Sequence, residues 1–198
     1  EILAAGESVG LKGLCFYDAG ARSFYTKNKL IESPADLKGM KIRVQKSEMA
    51  IKMIVAMGGS ATPIDWGELY TSLQQGVVDG AENNPPSFYG SMHYEVCKYY
   101  ILDEHTRCPD VLMISTFVWN KLTPEFQRIL QEAADESVTY QRELWAQKEK
   151  ECLEAVEKAG VTVTHPDKGS FREATKSIWK EFEGTEIGEI AKRILEVQ

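Results

Sequence analysis

The sequence predicts an α/β fold, a sheet covered by helices, and three features carry that prediction. Short segments of strand character alternate with short amphipathic segments from Lys41 to Ala81, the order expected of a layered α/β structure. Glycines stand where such helices have to stop, at Gly58-Gly59, Gly76 and Gly160. After Pro124 neither glycine nor proline occurs through Ala159, while Phe126, Ile129, Leu130, Ala133, Val138 and Leu144 recur at helical spacing. At ~1.5 Å per residue such a helix would be about 54 Å long, more than the diameter of a small domain, so it is expected to serve two domains.

In chain order, Glu1-Ile-Leu-Ala-Ala-Gly-Glu-Ser reads as the end of a helix with no basic start and no apolar signal core, as if cut from something longer. Leu11 to Tyr17 and Ser23 to Thr26 have strand character, and Ser33-Pro-Ala-Asp-Leu-Lys-Gly39 has the chemistry of a turn. Lys41 to Val44 is a short strand, and Ser47 is a plausible N-cap for a buried helix carrying Met49, Ile51, Met53, Ile54 and Met57. Ala61 to Ile64 is a strand, and Trp66 to Gln75 a helix with Leu69 and Leu73 one turn apart. Val77 to Ala81 reads as a strand, and Pro85-Pro86 opens a helix through about Tyr94. Further strands are expected at Cys97 to Leu102, Val111 to Val118 and Val161 to Thr164, and further helices at about Lys168 to Glu183 and Glu186 to Glu196.

Composition narrows the function. The 198 residues are 43% hydrophobic and 27% charged, enough apolar material for a real core. Apolar runs such as Val111 to Ile114 fall far short of the roughly 20 residues of a membrane helix, so no membrane insertion is expected. A formal net charge of -7 argues against nucleic acid as a partner. One or two local arginines can still make a carboxylate site on such a protein.

Catalytic chemistry finds no carrier. There is no P-loop or G-x-G-x-x-G. His93, His105 and His165 lack the i, i+4 spacing that pairs two metal ligands on a helix, and each is read as structural or superficial. Asp103-Glu104 and the group Glu132, Asp135 and Glu136 read as solvated faces. Cys15, Cys97, Cys108 and Cys152 have no metal-site spacing and read as buried free thiols, with a Cys97–Cys108 disulfide as the alternative. No catalytic residue, metal ligand or cofactor is assigned.

Binding has better candidates. Arg43 lies between Ile42 and Val44 in a strand, where it serves either a surface ion pair or a ligand carboxylate, which a guanidinium can grip with two parallel hydrogen bonds. Asn83 and Asn84 stand at a strand end, where an amide turns the chain or addresses a ligand. Trp66 is either core or an apolar wall of a site.

The run Ser33-Pro-Ala-Asp-Leu-Lys-Gly-Met-Lys-Ile-Arg-Val44, then Asp65-Trp-Gly-Glu-Leu-Tyr70, Leu73-Gln-Gln-Gly-Val-Val-Asp-Gly-Ala-Glu-Asn-Asn84 and Tyr94-Glu-Val-Cys-Lys-Tyr99 resembles the DctP-type solute-binding proteins of TRAP transporters in order and spacing. Phe126 to Ala134 and Gly160-Val-Thr-Val163 continue the likeness. The resemblance implies a periplasmic-binding-protein-like two-domain fold, partial here, with a long helix bridging the domains. It implies that residues 1–21 and 109–148 are the remainder of the first domain with the bridging helix, and that 22–108 and 149–198 form the second, ligand-binding domain. It places a substrate carboxylate on Arg43 and further ligand contacts on Asn83, Trp66 and Arg22. It also implies no enzymatic activity, no cofactor, a periplasmic or otherwise extracytoplasmic location, and TRAP membrane subunits as partners. Ala81 to Phe88 most resembles members that take hexuronates or related sugar acids; C4-dicarboxylates, or a ligand-sensing domain of the same fold, are the alternatives. The first part of the family's first domain has no counterpart in the sequence.

Overall fold

In the computed structural model, which describes residues 1–197, two sheets are joined by strand crossings and by one long helix. The elements are α1 (Ile2–Ala5), β1 (Leu11–Tyr17), β2 (Ala21–Thr26), β3 (Lys41–Val44), α2 (Glu48–Ala56), β4 (Ser60–Pro63), α3 (Trp66–Gln75), β5 (Gly80–Asn83) and α4 (Pro85–Gly90). They continue with β6 (Tyr99–Arg107), β7 (Asp110–Ser115), α5 (Thr116–Trp119), α6 (Pro124–Lys158), β8 (Thr162–Thr164), α7 (Lys168–Lys180) and α8 (Glu186–Glu196). The larger sheet runs β4-β3-β5-β2-β6-β8, and β1 pairs with β7 in the smaller one. Strand β3 is parallel to β4 and β5, while β2 is antiparallel to both β5 and β6.

The alternation of side chains along β3 divides the core. Ile42 and Val44 are fully buried on the face covered by α2, with Phe24, Leu37 and Ile54. Arg43 therefore points to the other face. That face packs Tyr25, Phe88 and Tyr100 against Leu69 and Leu73 of α3 and Val156 of α6. Leu69 and Leu73 lie one turn apart and are both fully buried, so truncating either to Ala would cost about 2–5 kcal/mol.

Helix α6 starts on the Thr123 hydroxyl, which accepts from the Phe126 amide, and has Pro124 at its first position. It buries Ala134 against the smaller sheet and Val156 against the larger one. Between these contacts it ties down the β1–β2 crossing. The Asp18 amide donates to Gln141 Oε1 at 2.9 Å, and Gln141 Nε2 donates to the Asp18 carbonyl at 2.7 Å.

Several boundaries differ from the sequence reading. Val77 to Asp79 form a turn after the left-handed Gly76, so the strand is Gly80–Asn83 and contains Asn83. The helix expected through Tyr94 ends at Gly90, because Met92 takes a left-handed conformation (φ 58°) and a 3-10 turn follows at His93–Glu95. The strand expected through Val118 ends at Ser115, where α5 begins. Asp103 lies in a strand and is 1% exposed, not on a solvated face. All four cysteines are free, and Cys108 is exposed where a buried thiol was expected. No described helix is long and apolar enough to cross a membrane.

Candidate ligand-binding site

Arg43, Asn83 and Asn84, all buried, meet where β3 and β5 end and α3 and α4 begin. In a sheet with parallel strands this edge collects backbone dipoles and loop side chains, and ligands settle there. A cavity of about 640 Å³ opens at that edge, with Arg22, Arg43, Trp66, Asn83 and Asn84 on its wall. A concavity of about 590 Å³ along α6 is lined by Tyr17, Tyr140 and Leu144 among others, and none of its lining residues is buried. The chemistry is at the sheet edge.

Arg43 is 3% exposed. Its Nε donates to the Ile64 carbonyl at 2.8 Å, and its Cζ lies 5.6 Å from the centre of the Trp66 ring. Its Nη1 is buried and has no hydrogen-bond partner. A buried donor left unmade costs about 1–3 kcal/mol, and more when charged, so this atom is held for something. Burial pulls the Arg43 pKa down, only partly offset by Tyr25 and Glu82.

Arg22 is differently employed. Nε and Nη2 hold the two Glu82 oxygens at 2.5 and 2.8 Å, a second Nη2 bond goes to the Glu82 carbonyl at 2.9 Å, and Nη1 donates to Asn83 Oδ1 at 2.9 Å. Of the five guanidinium N–H groups one is left for the cavity. Arg22, expected to contact the ligand, thus has its fork occupied by its own chain.

Asn83 is oriented by the same network. Its Oδ1 accepts from both Arg22 Nη1 and the Asn84 amide, each at 2.9 Å, which fixes its Nδ2 as the atom left to donate. Toward a ligand Asn83 can therefore offer a donor, while its oxygen is taken by its own chain. Asn84 caps α4 by accepting from the Ser87 amide and donates from Nδ2 to the Ala19 carbonyl at 2.9 Å, so its amide is spent on structure. Trp66 is 45% exposed, which removes it from the core and leaves it as a wall of the cavity.

A buried acid–base cluster lies beneath the site, and of its members only Glu82 is not singled out in the sequence. Glu82 and Asp103, both almost fully buried, flank His105: Nδ1 is 2.6 Å from Asp103 Oδ2, and Nε2 is 3.6 Å from Glu82 Oε2. Burial opposes the imidazolium, but the two carboxylates outweigh it and raise the His105 pKa to about 9. Burial also opposes the Glu82 carboxylate, yet His105 and Arg22 hold its pKa below the usual range. A pairing irregularity lets this happen: Arg22 pairs with Thr106 and Phe24 with Ile101, so the extra residues on β6 bring Asp103 and His105 beneath the site. His93 is the opposite case. Burial and then the Arg43 charge press its pKa down to about 4, and its Nδ1 meets the Tyr25 hydroxyl at 2.8 Å. The available signal for Glu82 was its place between the segment read as a strand through Ala81 and the candidate Asn83.

A layered α/β scaffold that presents one unsatisfied buried guanidinium at a strand-end cavity is a solute-binding fold of the periplasmic type. The chain belongs to the DctP family, the bacterial extracellular solute-binding proteins of family 7, whose sequence profile matches residues 1–185. A TRAP periplasmic solute-binding protein from Bradyrhizobium, solved with bound galacturonate, is 45% identical and superimposes with a TM-score of 0.91 over 98% of this chain and 66% of its own. One from Chromohalobacter salexigens, with bound D-glucuronate, is 36% identical with a TM-score of 0.95 over 100% of this chain and 66% of its own. The 2,3-diketo-L-gulonate-binding periplasmic protein of Escherichia coli is 32% identical over 88% of this chain and 53% of its length. The chain thus spans about half the length of the curated relatives it matches.

Proposed function

We propose that the complete protein binds a hexuronate or related sugar acid outside the cytoplasm, in the periplasm, and delivers it to the membrane subunits of a TRAP transporter, without catalysing a reaction. The observation that carries the reading is the buried, unpartnered Nη1 of Arg43 beside the exposed ring of Trp66. A ligand carboxylate satisfies the former, and the carbon skeleton of a sugar lies against the latter. The bound uronates of structural neighbours above 35% identity support the same substrate class. In this reading residues 22–108 with 149–198 form one lobe, and residues 1–21 with 109–148 belong to the other. Closure of the lobes is then driven by the contacts that the ligand gains only in the closed state.

A thermal-shift series on the complete mature protein tests this, since a ligand selective for the native state raises stability by mass action. Glucuronate and galacturonate are expected to raise the midpoint, and neutral hexoses to leave it unchanged. Stabilisation by hexoses but not by their acids would sink the reading.

A further inference from the structure

His93 is buried and has no place among the ligand contacts described above, yet it touches the cavity wall from behind. Its ring centre lies 5.1 Å from that of Trp66 with the planes tilted by 57°, the spacing of an aromatic pair. Trp66 needs such a neighbour. It is the first residue of α3, where Asp65 makes no side-chain cap, and its ring stands half out of the protein. Within the cavity its neighbour is the Arg43 guanidinium, 5.6 Å from the ring centre.

His93 itself is firmly held. Its Nδ1 meets the Tyr25 hydroxyl at 2.8 Å, and Tyr25 is fully buried in β2 against Phe88 and Tyr100. The left-handed Met92 turns the chain into His93–Glu95, and the His93 carbonyl accepts from the Val96 and Cys97 amides at 3.1 and 2.9 Å. Two residues on, Glu95 accepts from the Tyr70 hydroxyl at 2.7 Å. Tyr70 lies one turn beyond Trp66 on the same face of α3, so the 3-10 turn meets the helix at two successive points, ring on ring and carboxylate on hydroxyl. With its pKa pressed down to about 4 by burial and by Arg43, the imidazole is neutral at pH 7, and Arg43 keeps the unpartnered cationic group on that wall.

We propose that His93 is a positioning residue of the sugar-acid site: anchored through Tyr25, it backs the indole of Trp66 and fixes the angle between that ring and the Arg43 guanidinium. This rests on the sugar-acid reading above and deepens it. An indole free to change rotamer loses that freedom when a ligand binds, whereas a backed indole has already lost it on folding. A sugar acid whose carboxylate sits on Arg43 then finds the apolar wall for its ring already in place.

Calorimetry of D-galacturonate on the complete protein tests the proposal through a cycle of His93→Ala and Trp66→Ala, because a residue that acts through another has no effect once the other is gone. His93→Ala is expected to weaken binding at least about threefold, the scale of immobilising one side chain. In the Trp66→Ala protein the same change should matter by less than about twofold. His93→Phe and His93→Gln separate the ring from the bond to Tyr25, and they serve where His93→Ala does not fold or Trp66→Ala binds too weakly to measure. Phenylalanine keeps a flat ring beside the indole and should bind within about threefold of wild type at some loss of stability, whereas glutamine keeps a polar partner for Tyr25 and should weaken binding beyond that. A loss from His93→Ala that persists undiminished without Trp66, or His93→Gln binding as tightly as His93→Phe, would overturn the positioning role and leave the sugar-acid reading standing. Failure of wild type to bind galacturonate would remove that reading and this proposal with it.

Discussion

The guanidinium of Arg22 holds both carboxylate oxygens of Glu82, with Nε 2.5 Å from Oε2 and Nη2 2.8 Å from Oε1, in a place where the Glu82 side chain is 2% exposed. Removing the arginine strands a buried carboxylate. Arg22→Ala is therefore expected to destabilise the protein by about 3–5 kcal/mol, the cost of breaking a buried ion pair from one side. Urea unfolding measures it, and a loss under 1 kcal/mol would mean that water replaces the arginine at no great cost (roughly the exposed-pair range).

Arg43 should behave in the reverse way. Its deletion is expected to cost the complete protein about 1.5–3 kcal/mol in ligand affinity, the range for a charged hydrogen bond, and Arg43→Lys to recover part of it. The ligand-free melting temperature should fall only modestly, because the bond from Nε to the Ile64 carbonyl is lost while a buried charge with an unpartnered Nη1 is removed. Calorimetry and melting read the two quantities separately. Unchanged affinity in Arg43→Ala would end the anchor assignment.

Asn83 allows a cleaner test of its free donor than truncation does. Asn83→Asp keeps an oxygen for Arg22 Nη1 and the Asn84 amide while replacing the Nδ2 donor by a second oxygen. Ligand affinity is expected to fall at least tenfold (about 1.4 kcal/mol, one lost charge-assisted or polar contact), with little change in unfolding free energy. If stability collapses instead, Asn83 serves the fold alone.

The histidines make opposite predictions with pH. His105 has its folded pKa raised to about 9, so its contribution to stability is complete below its unfolded value near 6.5 and is lost as pH rises through 9. His93 has its folded pKa lowered to about 4, so its contribution is complete above the unfolded value and is lost as pH falls from about 6.5 through 4. Wild type should lose stability between pH 7 and pH 10, and His105→Gln should lose less of it over that interval. Parallel curves for the two proteins would show that Asp103 and Glu82 do not hold the imidazolium.

Much of the fold is legible because local chemistry and tertiary role agree. The helix Trp66–Gln75 lies where Leu69, Leu73 and Gly76 put it, and α6 ends within a residue of the expected Ala159. The failures are tertiary. Val77 and Val78 have the composition of a strand, yet Gly76 turns the chain and the pairing begins only at Gly80. Asp103 is acidic and adjacent to Glu104, which reads as solvated until β2 supplies the Phe24 amide as a donor at 3.1 Å and His105 closes over it. Arg22 and Arg43 look alike in sequence, and only the placement of Glu82 beside Arg22 separates a satisfied guanidinium from an available one.

The bond pair between Gln141 and Asp18 is what a neighbouring β-strand would supply, one donor and one acceptor to the same residue, yet it comes from a helix side chain. A true strand fixes the direction of its partner through a ladder of such pairs, whereas a glutamine carries its two atoms on three rotatable bonds. A single side chain of α6 thus satisfies both backbone groups of Asp18 and clamps the crossing where no strand lies beside it.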